Sequence, residues 1–244
     1  MINKESVYKA RSLYYGLFSK LFAFTQQENR YDGIIEVLAT MIENPIDENS
    51  GEALKEIQDF LNTNGYTALE EEYERIFHSL STKVIPTTAS YYHEGFENGR
   101  KKIEVRNFLA KTRIRRNEEV FKENEDSVGF LMTFMHELIE LGLQGEKTYA
   151  TIEHCLFKEI INEFIDLFIV RLYEHPHANI FQSVAIVLNA FMEFERLYFD
   201  VNKVVMMEDK GKRIQEGVSE AEAKRRAANK AKKEADKAQK ALGA

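Results

Sequence analysis

Few side chains in this sequence stand at spacings that support chemistry. His136-Glu137-Leu138-Ile139-Glu140 comes closest. It nearly spells the zinc motif H-E-x-x-H, whose first and last residues share one face of a helix, and a glutamate can take a zinc ligand position. No third ligand follows at a suitable distance, so a metal-dependent helical hydrolase built on His136 and Glu140 is the alternative reading, not the leading one. Glu174-x-x-His177 has the Glu-x-x-His spacing of di-iron bundles, but it occurs once and Pro176 interrupts it. His78, His93 and His154 have no partner at catalytic spacing. Cys155 falls in an apolar helical pattern and reads as a small buried hydrophobe. Phosphate-binding glycine loops are absent, and Arg115-Arg116 is internal with no apolar region after it. Catalysis and cofactor binding therefore have no support here: no catalytic residue, metal or cofactor is expected.

The stretch Glu71–Tyr92, EEYERIFHSLSTKVIPTTASYY, offers recognition instead. Leu69, Tyr73, Ile76, Phe77 and Leu80 lie at helical spacing and mark a buried face. From Ser81 that period is lost. Pro86 removes a backbone donor, while Thr87, Thr88 and Ser90 carry hydroxyls that compete with helical bonding. Two adjacent tyrosines close the segment, and they cannot both point inward. One is expected to be exposed beside Ser90, where an amphipathic ring suits contact with a peptide.

The elements that must position this stretch are helical. Only 3 prolines and 12 glycines punctuate 244 residues, against average usage of about 5% and 7%. The pattern predicts helices over residues 4–23, from Ile34 to Ile42, from a cap at Asn49 or Ser50 to a stop at Asn64-Gly65, and through the Glu71 stretch. Further helices are predicted over Ile103–Ile114, Val128–Leu143, Thr151–Tyr173 and from Ala178 to about Phe199. The expected fold is all-α, a single helical domain of about eight to nine helices over residues 1–200. A polar, acidic link at 117–127 is hinge-like, a possible subdivision and a place where protomers of a dimer could exchange helices; monomer and dimer are both open. Residues 201–244 are an Ala/Lys-rich tail, helical or disordered.

Charge and cysteine content narrow the partners. The net charge is −7, yet residues 201–244 hold 12 Lys/Arg against 7 Asp/Glu, which leaves 21 against 33 in residues 1–200. Such a body repels nucleic acid and attracts a basic partner. The basic run Arg100–Arg116 is expected to pair with nearby glutamates. A single cysteine forms no internal disulfide and suits a reducing compartment. No apolar run is long enough to span a membrane. Leu13–Phe24 is apolar, but Lys20 lies inside it and no small-residue cleavage site follows, so it reads as a core helix.

Scattered motifs add a resemblance. EYERIF followed by Pro86, Ser90 and Tyr91 resembles a signature of the TorD/DmsD/NarJ family, cytoplasmic chaperones of molybdoenzymes. ARSLYYGLFSKLF is similar to the family's opening helix, and VRNFLAKTRI to its V-R-x-F-Y-x-x-x-G-L, with Leu109 and Arg113 departing. ENEDSVGFLMTFMHEL resembles E-x-x-D-H-I-x-x-E-L-x-F-M, with Ser127 at the histidine position and Leu131 at the second glutamate. Phe157, Phe164 and Phe168 fit a later aromatic pattern. The resemblance implies a non-enzymatic chaperone of anaerobic respiration. Its client would be an apo-molybdoenzyme catalytic subunit (formate dehydrogenase, or DMSO/TMAO or nitrate reductase type) and its twin-arginine leader, held until cofactor insertion and export. The expected client-binding residues are Tyr73, Arg75, Phe77, Pro86, Ser90, Tyr91, Glu125 and Asp126, with Arg75 orienting Asp126 so that the two motifs form one site. A generic helical adaptor that binds through its basic tail is the remaining alternative.

Overall fold

The first helix, α1 (Lys4–Phe22), lies along α6 (Val128–Leu143), and this pair is the most extensive contact in the fold. Their close approach depends on Gly129. A Cβ there would stand 2.5 Å from the Cα of Ala23, inside the chain's own backbone. Farther along, Gly16 leaves room for the ring of His136. The computed structural model describes residues 4–25 and 29–204. The expected tail is thus outside the described residues from Val205 onward.

Between α1 and α6 come α2 (Ile34–Glu43), α3 (Glu48–Phe77), α4 (Ala89–Glu94) and α5 (Arg100–Ala110). The long α3 is really two helices. Gly65 sits at φ 73°, ψ −179°, and breaks it where Asn64-Gly65 signals a stop. Its start departs from expectation. Asp47 is the N-cap and accepts from the Ser50 amide at 2.7 Å, while the Asp47 amide donates to Ser50 Oγ at 3.0 Å. Ser50 completes this capping box at the third helical position rather than capping the helix itself.

After α6, a 3₁₀ turn leads into α7 (Ala150–Leu156), a π-helical segment Phe157–Ile161 and α8 (Asn162–Tyr173), all in one rod. α9 (Ile180–Phe199) then packs across α3 and α8. Among the described residues the fold is helical with only isolated bridges, and no helix is long and apolar enough to cross a membrane. Phenylalanines form the core: Phe18, Phe22, Phe77, Phe168, Phe181 and Phe191 are buried in successive edge and stacked contacts.

Two distant carboxylates start helices. Glu72 of α3 accepts from the amides of Asn179 and Phe181 at 2.7 and 2.8 Å, capping α9. Asp126 does the same for α4, as described below. Midway along α1, Arg11 is fully buried and grips Glu195 with two bonds of 2.6 and 2.9 Å and Glu153 with a third of 3.1 Å. Tyr15 donates to Glu195 at 2.7 Å. One guanidinium thereby joins α1, α7 and α9, with Tyr198 and Phe199 against its face.

Candidate functional site

The backbone from Thr82 to Thr88 follows α3 as an extended segment pinned at several points. The Ile85 amide donates to Ile76 O at 3.0 Å, Thr82 Oγ1 to Arg75 O at 2.8 Å, and the Val128 amide to Thr87 O at 2.9 Å. His175 Nε2 meets Lys83 O at 3.0 Å. The short helix α4 then begins. It has no side-chain cap of its own from Thr88, and Asp126 supplies one: the Ala89 amide donates to Asp126 O and the Ser90 amide to Asp126 Oδ2, both at 2.9 Å. This is why hydroxyl-rich residues that read as a loop continue into a helix at Ala89.

These elements, the C-terminal end of α8 and residues 95–98 and 122–124 enclose an open groove of about 1390 Å³. Phe77, Pro86 and Tyr91 line it, as do Thr88 and Tyr92. Val84 and Phe96 expose apolar surface at it. Charge is mixed: Lys83, Lys122 and Arg171 line it together with Glu97, Glu123 and Glu174.

The expected residues divide into those on the groove and those behind it. Tyr91 is half-buried and Tyr92 buried, so one of the pair is accessible, as expected. Tyr73 is buried and donates its hydroxyl to Phe22 O at 3.1 Å, supporting Phe77 from behind. Ser90 is fully buried and its Oγ accepts from the Lys102 amide at 3.3 Å. Asp126 is fully buried under α4. Glu125 is buried between Arg106 at 3.0 Å, Arg116 at 3.7 Å and Lys102 at 3.8 Å. Burial works against its ionisation, but its own backbone amide and the two arginines outweigh that and lower its pKa. Neither acid is free to meet a partner's arginines.

The pairing of Arg75 with Asp126 is overturned. Arg75 is on the exposed face of α3 and pairs with Glu71 at 3.6 Å, one turn back, while Asp126 is committed to the α4 amides. Ser127, at the family's histidine position, caps α6 by accepting from the Phe130 amide at 3.2 Å and donates to Glu123 Oε2 at 3.2 Å. The same Glu123 oxygen accepts from the Phe24 amide at 3.3 Å. Burial raises the Glu123 carboxyl to about 7, against the lowering effect of those bonds. His78, whose ring centre is 4.5 Å from that of Phe24 at a tilt of 40°, has its pKa lowered by burial.

Sequence reasoning missed Arg171, Glu123 and His175. Arg171 was hidden in a helix read only for its apolar residues. The available signal was a lone arginine in a phenylalanine- and isoleucine-rich run, one turn before His175-Pro176-His177. The basic run over α5 does pair with glutamates, Lys101 with Glu163 at 2.6 Å and Arg106 with Glu125. His136 and Glu140 both turn onto Ser12 of α1, whose Oγ is 3.1 Å from His136 Nδ1. Among the described residues no group of three ligands could hold a metal.

Among the described residues, an all-helical scaffold with one side opened into a groove of about 1390 Å³ is the class this geometry defines. The chain belongs to the nitrate reductase delta subunit family, whose family model matches residues 43–173, from the end of α2 to the end of α8. That is the molybdoenzyme maturation family its motifs resemble. Among solved structures it is similar to a redox enzyme maturation protein from Archaeoglobus fulgidus, at 18% identity and a TM-score of 0.46, covering 76% of this chain and 93% of that one. No curated protein matches it.

Proposed function

We propose that this chain is a non-enzymatic chaperone that holds the apo catalytic subunit of a molybdoenzyme, with its twin-arginine leader, in the cytoplasm until the cofactor is inserted. The observation that carries this reading is the groove of about 1390 Å³, whose walls come from the family-matched segments Phe77–Asn98 and 122–124 together with α8. Its size suits a peptide segment rather than a small metabolite. Phe77, Pro86 and Tyr91 offer apolar and amphipathic surface to the leader's apolar stretch, and Glu97 and Glu174 at the groove attract its basic end. Tyr73, Ser90, Glu125 and Asp126 act from behind, by fixing the wall that carries these contacts.

The test is calorimetry with leader peptides of the molybdoenzyme catalytic subunits encoded in the same genome, arginine pair intact or replaced by glutamines. Binding is expected for at least one intact leader, about tenfold weaker without the pair. Absence of binding to every leader and to every apo subunit would overturn the proposal. Removing residues 205–244 is expected to leave the affinity unchanged, and loss of binding on that truncation would favour the tail-borne adaptor instead.

A further inference from the structure

The groove contains an arrangement that the twin-arginine reading does not use. Arg171, half-buried in the last turn of α8, places its guanidinium 5.0 Å from the ring centre of Tyr92 and 5.8 Å from that of Tyr91. It has no ion-pair partner among the described residues, although Glu174 follows one turn later. Two buried hydroxyls lie on the same groove wall. Thr88 Oγ1 and Tyr92 OH belong to side chains 3% and 5% exposed. The first has no hydrogen-bond partner among the described residues. The second has the Arg171 guanidinium beside it, which works against the rise that burial imposes on its pKa. Buried polar atoms are nearly always satisfied, so an orphan threonine hydroxyl and a tyrosine O–H with no acceptor, beside a guanidinium that has no ion pair among the described residues, point to a missing acceptor.

We propose that Arg171, Thr88 and Tyr92 form a carboxylate-receiving subsite that takes an acidic side chain of the bound peptide. The inference rests on the groove being a peptide site and names a residue type in the occupant. The chemistry fits. A guanidinium near aromatic rings carries five donors in a planar fork, so one N–H can meet the Tyr92 hydroxyl while others match a carboxylate in two bonds. The hydroxyls donate to an acceptor, which a carboxylate is and an arginine is not. A leader's own arginines would be repelled from Arg171 and are left to Glu97 and Glu174. The occupant is thus an acidic residue among apolar ones, the latter meeting Val84 and Phe96.

The test uses the full chain and two blocked tripeptides, acetyl-Leu-Glu-Leu-amide and acetyl-Leu-Gln-Leu-amide, titrated while the Arg171 Nε–H resonance is followed by NMR. The glutamate peptide is expected to shift that resonance saturably and to bind about tenfold more tightly than the glutamine peptide. Arg171→Gln should erase the preference. Arg171→Lys, which keeps the charge and loses the fork, should weaken it, and thermal melts check that both variants fold. Equal binding of the two peptides, binding of neither, or an unchanged preference in Arg171→Gln overturns the inference. So does inorganic phosphate that displaces the glutamate peptide from Arg171→Lys as readily as from the native chain, since that marks a simple anion site. If the tripeptides fail while a leader still binds, the subsite alone is refuted. If no leader binds the native chain, the chaperone reading fails with it.

Discussion

The Arg11 network and the groove treat buried polar groups in opposite ways. Midway along α1, Arg11 is closed off completely: two glutamates and two aromatic faces satisfy it, Tyr15 donates to one of those glutamates, and the residues come from three helices. Around the groove, the Thr88 hydroxyl has no partner among the described residues, the Tyr92 hydroxyl has only the Arg171 guanidinium beside it, and Arg171 makes no ion pair among those residues. Desolvation cost is offset internally at the first site and left open at the second. A network that is complete specifies and stabilises the fold, and one that is incomplete has capacity for a ligand. The contrast separates a structural arginine from a recognition arginine without reference to any relative.

The largest break of this comparison is Arg11→Ala. It strands Glu195 and Glu153 in a dry core, and removing one partner of a buried pair costs about 3–5 kcal/mol. A fall in unfolding free energy of that size is expected from urea melts, with leader affinity per folded molecule unchanged. An effect below about 1 kcal/mol would show that the network is dispensable.

An intermediate effect is expected at Glu123, which belongs to both regimes: it lines the groove, yet holds the end of α1 to the 117–127 link through the Phe24 amide. Its folded pKa is raised from the ordinary 4.5 to about 7. Protonation therefore favours the folded state. The stabilisation is full below the unfolded value and is lost as pH rises through about 7. Glu123→Gln keeps an oxygen for the Phe24 and Ser127 donors, because one oxygen accepts both. The variant should gain about 1–2 kcal/mol at pH 8, discounted for partial exposure, and lose its advantage at acidic pH. Melts of both proteins across that range check the sign, and a native chain that grows more stable as pH rises from 5 to 8 relative to the variant would contradict it.

Much of this was readable in the chain. Tyr73 and Phe77 repeat at helical spacing, which placed them inward, and Gly65 ended a helix because it alone accepts φ 73° there. The all-α fold followed from periodicity and the scarcity of breakers. What was not readable is which polar groups would be used up. Asp126 and Ser90 are 36 residues apart, and only the backbone pairing of residues 87–89 with 126–128 turns an apparent ligand carboxylate into a helix cap. Arg75 looked available to Asp126 because both stand in motifs, but α3 directs it to solvent. Arg171 was illegible for the converse reason: its significance is the absence of an ion-pair partner among the described residues, and absence is a property of three-dimensional surroundings.

The sharpest form of the comparison removes the same atom at each site. Tyr15→Phe and Tyr92→Phe both delete one phenolic oxygen from a buried ring. At Tyr15 the hydroxyl donates to the Glu195 carboxylate at 2.7 Å, a charge-assisted bond, and its loss leaves that acceptor short inside the core. A cost of about 1.5–3 kcal/mol follows. At Tyr92 the hydroxyl has only the Arg171 guanidinium beside it and donates to no acceptor among the described residues, so its removal should change stability by no more than about 0.5 kcal/mol. Binding should invert that order: Tyr15→Phe leaves affinity for the glutamate tripeptide intact, while Tyr92→Phe weakens it several-fold. Paired urea melts and titrations read both quantities. Equal stability losses at the two positions would mean that the Tyr92 hydroxyl is satisfied in solution, and the difference between a sealed network and an open one would collapse to a single structural role.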